Sequence, residues 1–302
     1  MENINFKSGF VAFAGRTNVG KSTLINNVLG SKIVITSEKA QTTRNRINCI
    51  YNDDDSQIIF VDIPGFLKPK NLLTEKLNKL ISKTINDADI VLAIIDVSTG
   101  IGRGDFFIFE KLKEINKPVI LLVNKIDLSS KRDIEIEIDK IKEFDFFKDI
   151  LFISALEDKN FDELLSTIKK YLPEGPPFYP DDILSDRPVR SIAEDIIREK
   201  LITRLEDELP HSVTVEIDKF EEGKTKSGDK IVRINAIIFT QRKAHKSMII
   251  GKNGNLLKEI GTLARVELEE FLDSKVHIEL WVKVREDWTK DEVALKEFGY
   301  DF

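Results

Sequence analysis

Cysteine is almost missing from this 302-residue chain: Cys49 stands alone, so no intramolecular disulfide can form. Histidine is nearly as scarce, and His211, His245 and His277 are too scattered to build a zinc-type ligand cluster. Both absences fit a reducing compartment. Long apolar runs are lacking as well. The longest, Ile90 to Ile95, lies between Asp89 and Asp96 and is far too short to span a bilayer. No basic stretch followed by a sustained apolar one opens the chain, so no signal peptide is expected. A soluble, cytoplasmic protein follows, free to dock peripherally on a membrane. There is no basic excess either. The net charge of −6 argues against a globally basic nucleic-acid binder and sends the search to local patches.

What is present suits a globular protein of two ordinary domains: 41% hydrophobic and 32% charged residues over a length that supports two cores. Residues 1–170 alternate short β-branched runs (Phe10–Ala14, Ile58–Asp62, Asp89–Asp96, Pro118–Asn124, Ile150–Ala155) with helically spaced segments at 72–86, 105–115, 133–144 and 161–171. That rhythm predicts a mostly parallel sheet with helices on both faces and a ligand site at the carboxyl ends of its strands. Residues 171–182 hold four of the nine prolines and read as a stiff linker. Residues 183–302 then change pattern. Helical spacing at 188–207, strands at 213–220 and 230–240, helices at 245–250 and 254–272, and a strand at 275–284 give a separate α+β domain.

The first motif, Gly15, Arg16, Thr17, Asn18, Val19, Gly20, Lys21 and Ser22, followed by Thr23, is GxxxxGK[ST] between a strand and a helix. Its glycines let backbone N–H groups wrap a phosphate at a helix N-terminus. Lys21 is expected on the β- and γ-phosphates and Ser22 on Mg²⁺. Asp62, Ile63, Pro64 and Gly65 follow at the end of a second strand, with Asp62 placed for Mg²⁺ and the Gly65 N–H for the γ-phosphate. Alone, DxPG also describes an ordinary turn. Asn124, Lys125, Ile126 and Asp127 then follow the strand PVILLV. An Asp carboxylate there accepts from guanine N1–H and N2–H₂, donors that adenine lacks. Asn124 would fix the base edge and the neighbouring loop, and the Lys125 stem would cover the ring. Ser154, Ala155 and Leu156 complete the set, with the Ala155 N–H available to guanine O6. These loops in this order predict a GTP/GDP site and exclude a P-loop kinase or ATPase.

Between the first two motifs, Gln41-Thr42-Thr43-Arg44-Asn45 would close on the γ-phosphate. Thr43 is preferred over Thr42 as the Mg²⁺ ligand and counts, with Lys21 and Gly65, among the expected catalytic residues. Segments near 36–48 and 63–75 are expected to order with GTP and relax after hydrolysis. A water-orienting Gln is missing after the DxPG glycine, where Phe66 stands. Slow intrinsic turnover follows, and Phe66 reads equally well as a packing residue.

In the second domain, Gly251, Lys252, Asn253 and Gly254 form a GxxG loop between two helices, the geometry by which KH domains hold single strands. The window 241–258 holds Arg242, Lys243, Lys246, Lys252 and Lys258 and no acidic residue. Ile249 and Ile250 are expected as an apolar floor for bases. Trp281 and Trp288 read as packing residues.

With GRTNVGKS at 15–22, QTTRN at 41–45, DIPG at 62–65, NKID at 124–127, ISAL at 153–156, the FYPDD linker and HKSMIIGKNG at 245–254, the chain resembles the Era family of bacterial GTPases from end to end. The resemblance implies an α/β P-loop GTPase domain, mostly parallel with helices on both faces, followed by an α+β type II KH domain. It further implies binding of 16S ribosomal RNA near its 3′ end, assistance to assembly of the 30S small subunit, and peripheral contact with the inner membrane. Thr17 and Ile63 depart from the family's usual proline and threonine, at positions where backbone does the work. A monomer is the default expectation. The rival reading is a membrane-associated signalling GTPase whose C-terminal domain binds a protein.

Overall fold

The computed structural model describes residues 6–36, 43–66, 69–206 and 209–300. Gln41 and Thr42 lie outside the described residues. The chain divides into two compact units, one of residues 1–34, 43–68 and 77–186, the other of residues 35–42, 69–76 and 187–302.

In chain order the first part runs β1 (Lys7–Ala14), α1 (Lys21–Leu29), β2 (Ile47–Asn52), β3 (Ser56–Asp62), α2 (Leu72–Asp87), β4 (Ile90–Asp96), α3 (Arg103–Lys113), β5 (Val119–Asn124), α4 (Lys131–Asp139), β6 (Asp149–Phe152) and α5 (Phe161–Tyr171). Its six-stranded sheet has the order β2-β3-β1-β4-β5-β6. All pairs are parallel except β2 with β3, which is antiparallel. Alternation along each strand sorts the core into two layers. Val11, Phe13, Leu92 and Ile120 pack with α1 and α5 on one face, through Leu24, Ile25, Leu164 and Ile168. Ala12, Ala14, Val91 and Leu121 pack with α2 and α3 on the other, through Ile81, Ile85, Ile108 and Phe109. Both faces are covered, as the apolar runs require.

Two sequence expectations change here. The loop expected over 36–48 ends sooner, because Ile47 and Asn48 already belong to edge strand β2. The proline-rich stretch is no free linker: residues 173–186 are strapped along the sheet edge. Gln57 ties the strap with three hydrogen bonds, accepting from the Phe178 and Tyr179 N–H groups at 2.7 and 3.0 Å and donating to the Tyr179 carbonyl at 2.8 Å. Farther along, the Ile50 N–H donates to Leu184 O at 2.9 Å, and Asn48 Nδ2 donates to Asp186 Oδ2 at 2.7 Å. Prolines forbid a ladder strand but not this docking, which covers an otherwise open edge.

The second unit runs α6 (Val189–Arg204), β7 (Val213–Lys224), β8 (Lys230–Thr240), α7 (Lys243–Ile250), α8 (Asn255–Leu272), β9 (Lys275–Val284) and α9 (Glu292–Glu297). Its sheet has the order β7-β8-β9, antiparallel then parallel. Ile196, Leu201, Ile260, Ala264 and Leu268 from α6 and α8 close on Ile217, Ile234, Ala236 and Ile238. Trp288 is packed as expected, fully buried, with Nε1 donating to Ser212 O at 3.0 Å. Trp281 corrects the expectation. It is 60% exposed, because Val276 and Val282 put the even residues of β9 inward and leave the odd ones outside.

Candidate functional site

Between the end of β1 and the start of α1 the backbone turns through Gly20, whose φ of 101° suits glycine alone. A Cβ there would also lie 2.2 Å from Asn124 Nδ2. Gly15 and Gly65 are equally cramped. A Cβ on the first would meet Ile94 O at 2.6 Å, and on the second the Thr17 nitrogen at 2.8 Å. The DxPG turn therefore rests directly on the phosphate loop, and the Phe66 N–H donates to Gly15 O at 3.4 Å. Ile63 and Pro64 are buried beneath it, Val19 is buried in the core, and Asn18 is exposed with a φ of 64°. The Arg16 side chain turns away to Asp105, at 2.9 Å, leaving its backbone to the loop. Thr23 is half-buried in the first turn of α1.

Lys21 is buried, with Nζ donating to Arg16 O at 2.7 Å. Burial draws its pKa down to about 8, and the Asp62 carboxylate pulls the other way. A phosphate in the loop would supply the counter-charge that burial withholds. The three expected metal ligands converge: Ser22 Oγ and Thr43 Oγ1 donate to Asp62 Oδ2 at 3.3 and 3.0 Å. Two hydroxyls around one buried carboxylate oxygen form the hard-oxygen donor set that suits Mg²⁺.

At the ends of β5 and β6 the base-reading loops meet. Asp127 Oδ1 is buried and accepts no hydrogen bond among the described residues. Lys125 adopts a φ of 66° and pairs its Nζ with Asp96 Oδ2 at 2.7 Å. Burial works to raise the Asp96 carboxyl, yet hydrogen bonds from Lys125 and Ser98 hold it below the ordinary range. Asn124 is a clasp: Nδ2 donates to Val19 O at 2.7 Å, and Oδ1 accepts from the Ala155 N–H at 2.9 Å. Here the Ala155 N–H, expected at guanine O6, is directed at Asn124. Ser154 is buried, with Oγ accepting from the Glu157 N–H at 3.1 Å, while Leu156 is 72% exposed at the rim. Phe66 packs edge-on against Phe107 with ring centroids 6.4 Å apart, in keeping with a packing role.

In the second unit Gly251 ends α7 with a φ of 72°, and a Cβ on it would strike Leu256 at 2.8 Å. Asn253 and Gly254 also have positive φ, so the loop rises as a tight knuckle at the start of α8. Arg242, Lys243, Lys246, Lys252, Asn253 and Lys258 are all exposed around it. Ile249 departs from expectation. It is fully buried in the core, so only half-buried Ile250 is left to serve as a floor. Beside the knuckle lies a cavity of about 470 Å³, lined by Gly254, Leu257, Lys258, Gly261 and Arg265 of the loop and α8 and by His277, Ile278 and Leu280 of β9. Of these, sequence reasoning found only Gly254 and Lys258. The helical spacing of 257, 261 and 265 was the available signal for the rest of the α8 wall.

Sheet, phosphate loop, base-reading loops and GKNG knuckle together define a P-loop GTPase carrying a KH domain. A family model described as 50S ribosome-binding GTPase matches residues 10–125, and the KH domain model matches residues 208–289. GTPase Era of Thermoanaerobacter sp. (strain X514) is 48% identical over 294 residues, covering 97% of this chain and 96% of that protein. GTPase Era of Clostridioides difficile (strain 630) is 46% identical over 297 residues, covering 98% and 99%. The chain belongs to the Era family of GTPases. A crystal structure of Era in complex with MgGDPNP and nucleotides 1506–1542 of 16S ribosomal RNA aligns with a TM-score of 0.93 at 40% identity, covering 98% of this chain and 100% of that one.

Proposed function

We propose that this GTPase is a slow GTP-driven switch that binds the single-stranded 3′ region of 16S ribosomal RNA and assists assembly of the 30S subunit. The observation that carries the nucleotide half is Asp127 Oδ1, a buried acceptor with no hydrogen bond among the described residues, at the position where guanine offers its N1–H and N2–H₂. Gly15–Thr23 would wrap the phosphates, with Lys21 on the β- and γ-oxygens and the Gly65 N–H at the γ-phosphate. Ser22, Thr43 and Asp62 would hold Mg²⁺, which when bound neutralises charge on those oxygens. Phe66 has no amide with which to orient water, so unassisted turnover falls near ~10⁻⁴–10⁻³ s⁻¹.

The RNA half rests on the knuckle and its groove. Exposed Lys252 and Asn253 would meet the backbone of a single strand, and Lys258 and Arg265 line the cavity in which about four nucleotides lie in a KH domain. A cytoplasmic location, peripheral contact with the inner membrane and a monomeric state belong to the same reading and follow from the family resemblance. Among the described residues no helix is long and apolar enough to cross a membrane.

The test is filter binding of the full-length protein to a single-stranded fragment of the 16S 3′ end across a salt series. Affinity should fall steeply as salt rises. A double variant, Lys252→Asp with Asn253→Asp, should lose the RNA and keep its GDP affinity. RNA affinity unchanged in that variant would overturn the groove assignment.

A further inference from the structure

We infer that the nucleic-acid site continues past the groove, over the free edge of β9, to a stacking position on the open face of the sheet formed by Trp281. This rests on the RNA-binding reading above and extends it by one subsite. Large aromatics are normally withdrawn from water, yet Trp281 is 60% exposed on a well-formed strand. Its neighbours form a platform. In the β8–β9 register Ile237 lies directly beside Trp281, Phe239 beside Lys283, and Arg233 beside His277. Ile237 is half-buried, Phe239 is covered by Phe298 of the C-terminal segment with ring centroids 4.9 Å apart, and Arg233, His277 and Lys283 are exposed. An indole set beside aliphatic Ile237, with Arg233 and Lys283 on the same face, suits a nucleobase and its phosphate. Glu279 also lies on this face, with its Oε1 3.4 Å from His277 Nε2, as do exposed Glu216, beside Ile237, and Glu221, beside Arg233, which leaves the Lys283 flank for a phosphate.

Continuity selects the occupant. β9 is the edge strand of the β7-β8-β9 sheet, so nothing in that sheet pairs with its outer side. The same strand lines the groove with Ile278 and Leu280 and presents Trp281 to the open face, and His277 contributes to both. A single strand leaving the groove at β9 needs to round only one edge strand, about 10 Å from face to face, to reach that side. Trp281 lies four positions beyond His277, about 13 Å along the strand, a span that the nucleotides following the groove can cover.

The experiment uses the full-length protein and two single-stranded oligoribonucleotides, one of about four nucleotides, the length a KH groove holds, and one of about ten. Trp281→Ala should weaken the longer strand by about 5- to 150-fold and leave the shorter one unchanged. The unchanged short strand doubles as a check on folding. Trp281→Phe should retain most of the affinity. Intrinsic fluorescence should be quenched by the long strand in the wild type and not in Trp281→Ala, because Trp288 is buried. Equal affinity of wild type and Trp281→Ala for the long strand would overturn the subsite while leaving the groove intact. If the wild type binds neither length, the RNA reading fails and this extension fails with it. Quenching that appears with protein concentration alone assigns the face to a second copy of the chain and also overturns the proposal.

Discussion

Single atoms decide specificity in this molecule. Asp127 has a buried oxygen that accepts no hydrogen bond among the described residues, a cost of about 1–3 kcal/mol that a guanine edge would recover. Replacing Asp127 by Asn keeps the shape but turns one acceptor into a donor facing the guanine N1–H and N2–H₂. GDP affinity should fall by a factor on the order of 10⁴. A nucleotide whose base carries a carbonyl at position 2 should then bind the variant better than GDP does. Competition titration against labelled GDP checks both statements, and unchanged GDP affinity would remove Asp127 from the base site. The residue types at such positions were legible because the chemistry demands them at fixed spacing. Their orientations were not. Ala155 commits its N–H to Asn124, Ile249 turns into the core and Trp281 turns out of it. The last two outcomes depend on a one-residue phase along a helix or strand, and local composition does not set that phase.

At the scale of elements, amphipathic spacing gave the parallel strands and their helices, because buried runs such as Ile90–Asp96 admit no other placement. Edge strand β2 was missed. Asn48 and Asn52 interrupt its apolar pattern, and those same side chains hold the strap: Asn52 Nδ2 donates to Asp181 O at 3.1 Å. Helix α6 carries a different device, the buried carboxylate Asp195. Burial acts to raise it, but Arg198, whose Nη2 lies 3.0 Å away, and Arg187 overcome that and hold it below the usual Asp range. A carboxylate with a depressed folded-state pKa adds stability above its unfolded value of about 3.9 and loses it as pH falls through the folded value. Neighbouring Glu194 has the opposite sign: burial raises its carboxyl, so ionising it costs stability as pH rises. Asp195→Asn removes the buried carboxylate that Arg187 and Arg198 share, and unfolding of the second unit should become easier by about 3–5 kcal/mol at neutral pH. Urea melts of wild type and variant from neutrality to about pH 3.5 should converge on acidification, since protonating Asp195 removes in the wild type what the substitution has already removed. Curves that stay parallel throughout would show that the pair contributes nothing to stability.

For the whole molecule the question is whether the two sites communicate. Thr43 donates to Asp62 in the candidate Mg²⁺ site, and five residues on Asn48 grips the strap that delivers the chain to Arg187 and the second unit. Arg46 Nε donates to Asn48 Oδ1 at 3.3 Å, between those two points. A γ-phosphate that draws Thr43 onto Mg²⁺ would therefore pull on one of the residues that anchor the strap, within one continuous stretch of backbone. Linkage makes the consequence measurable in both directions: if GTP changes RNA affinity by some factor, RNA changes GTP affinity by the same factor. Couplings of this type are worth about 1–3 kcal/mol, or roughly 5- to 150-fold. RNA affinity with GDP and with a non-hydrolysable GTP analogue should differ by a factor in that range. Asn48→Ala cuts the grip on Asp186 while leaving the loops that carry Lys21 and Asp127 in place, so it should shrink the factor toward one and spare both affinities with GDP bound. If the wild type holds RNA equally with either nucleotide, the two halves act independently and the strap is only a tether. If Asn48→Ala keeps the full factor, coupling runs by another route.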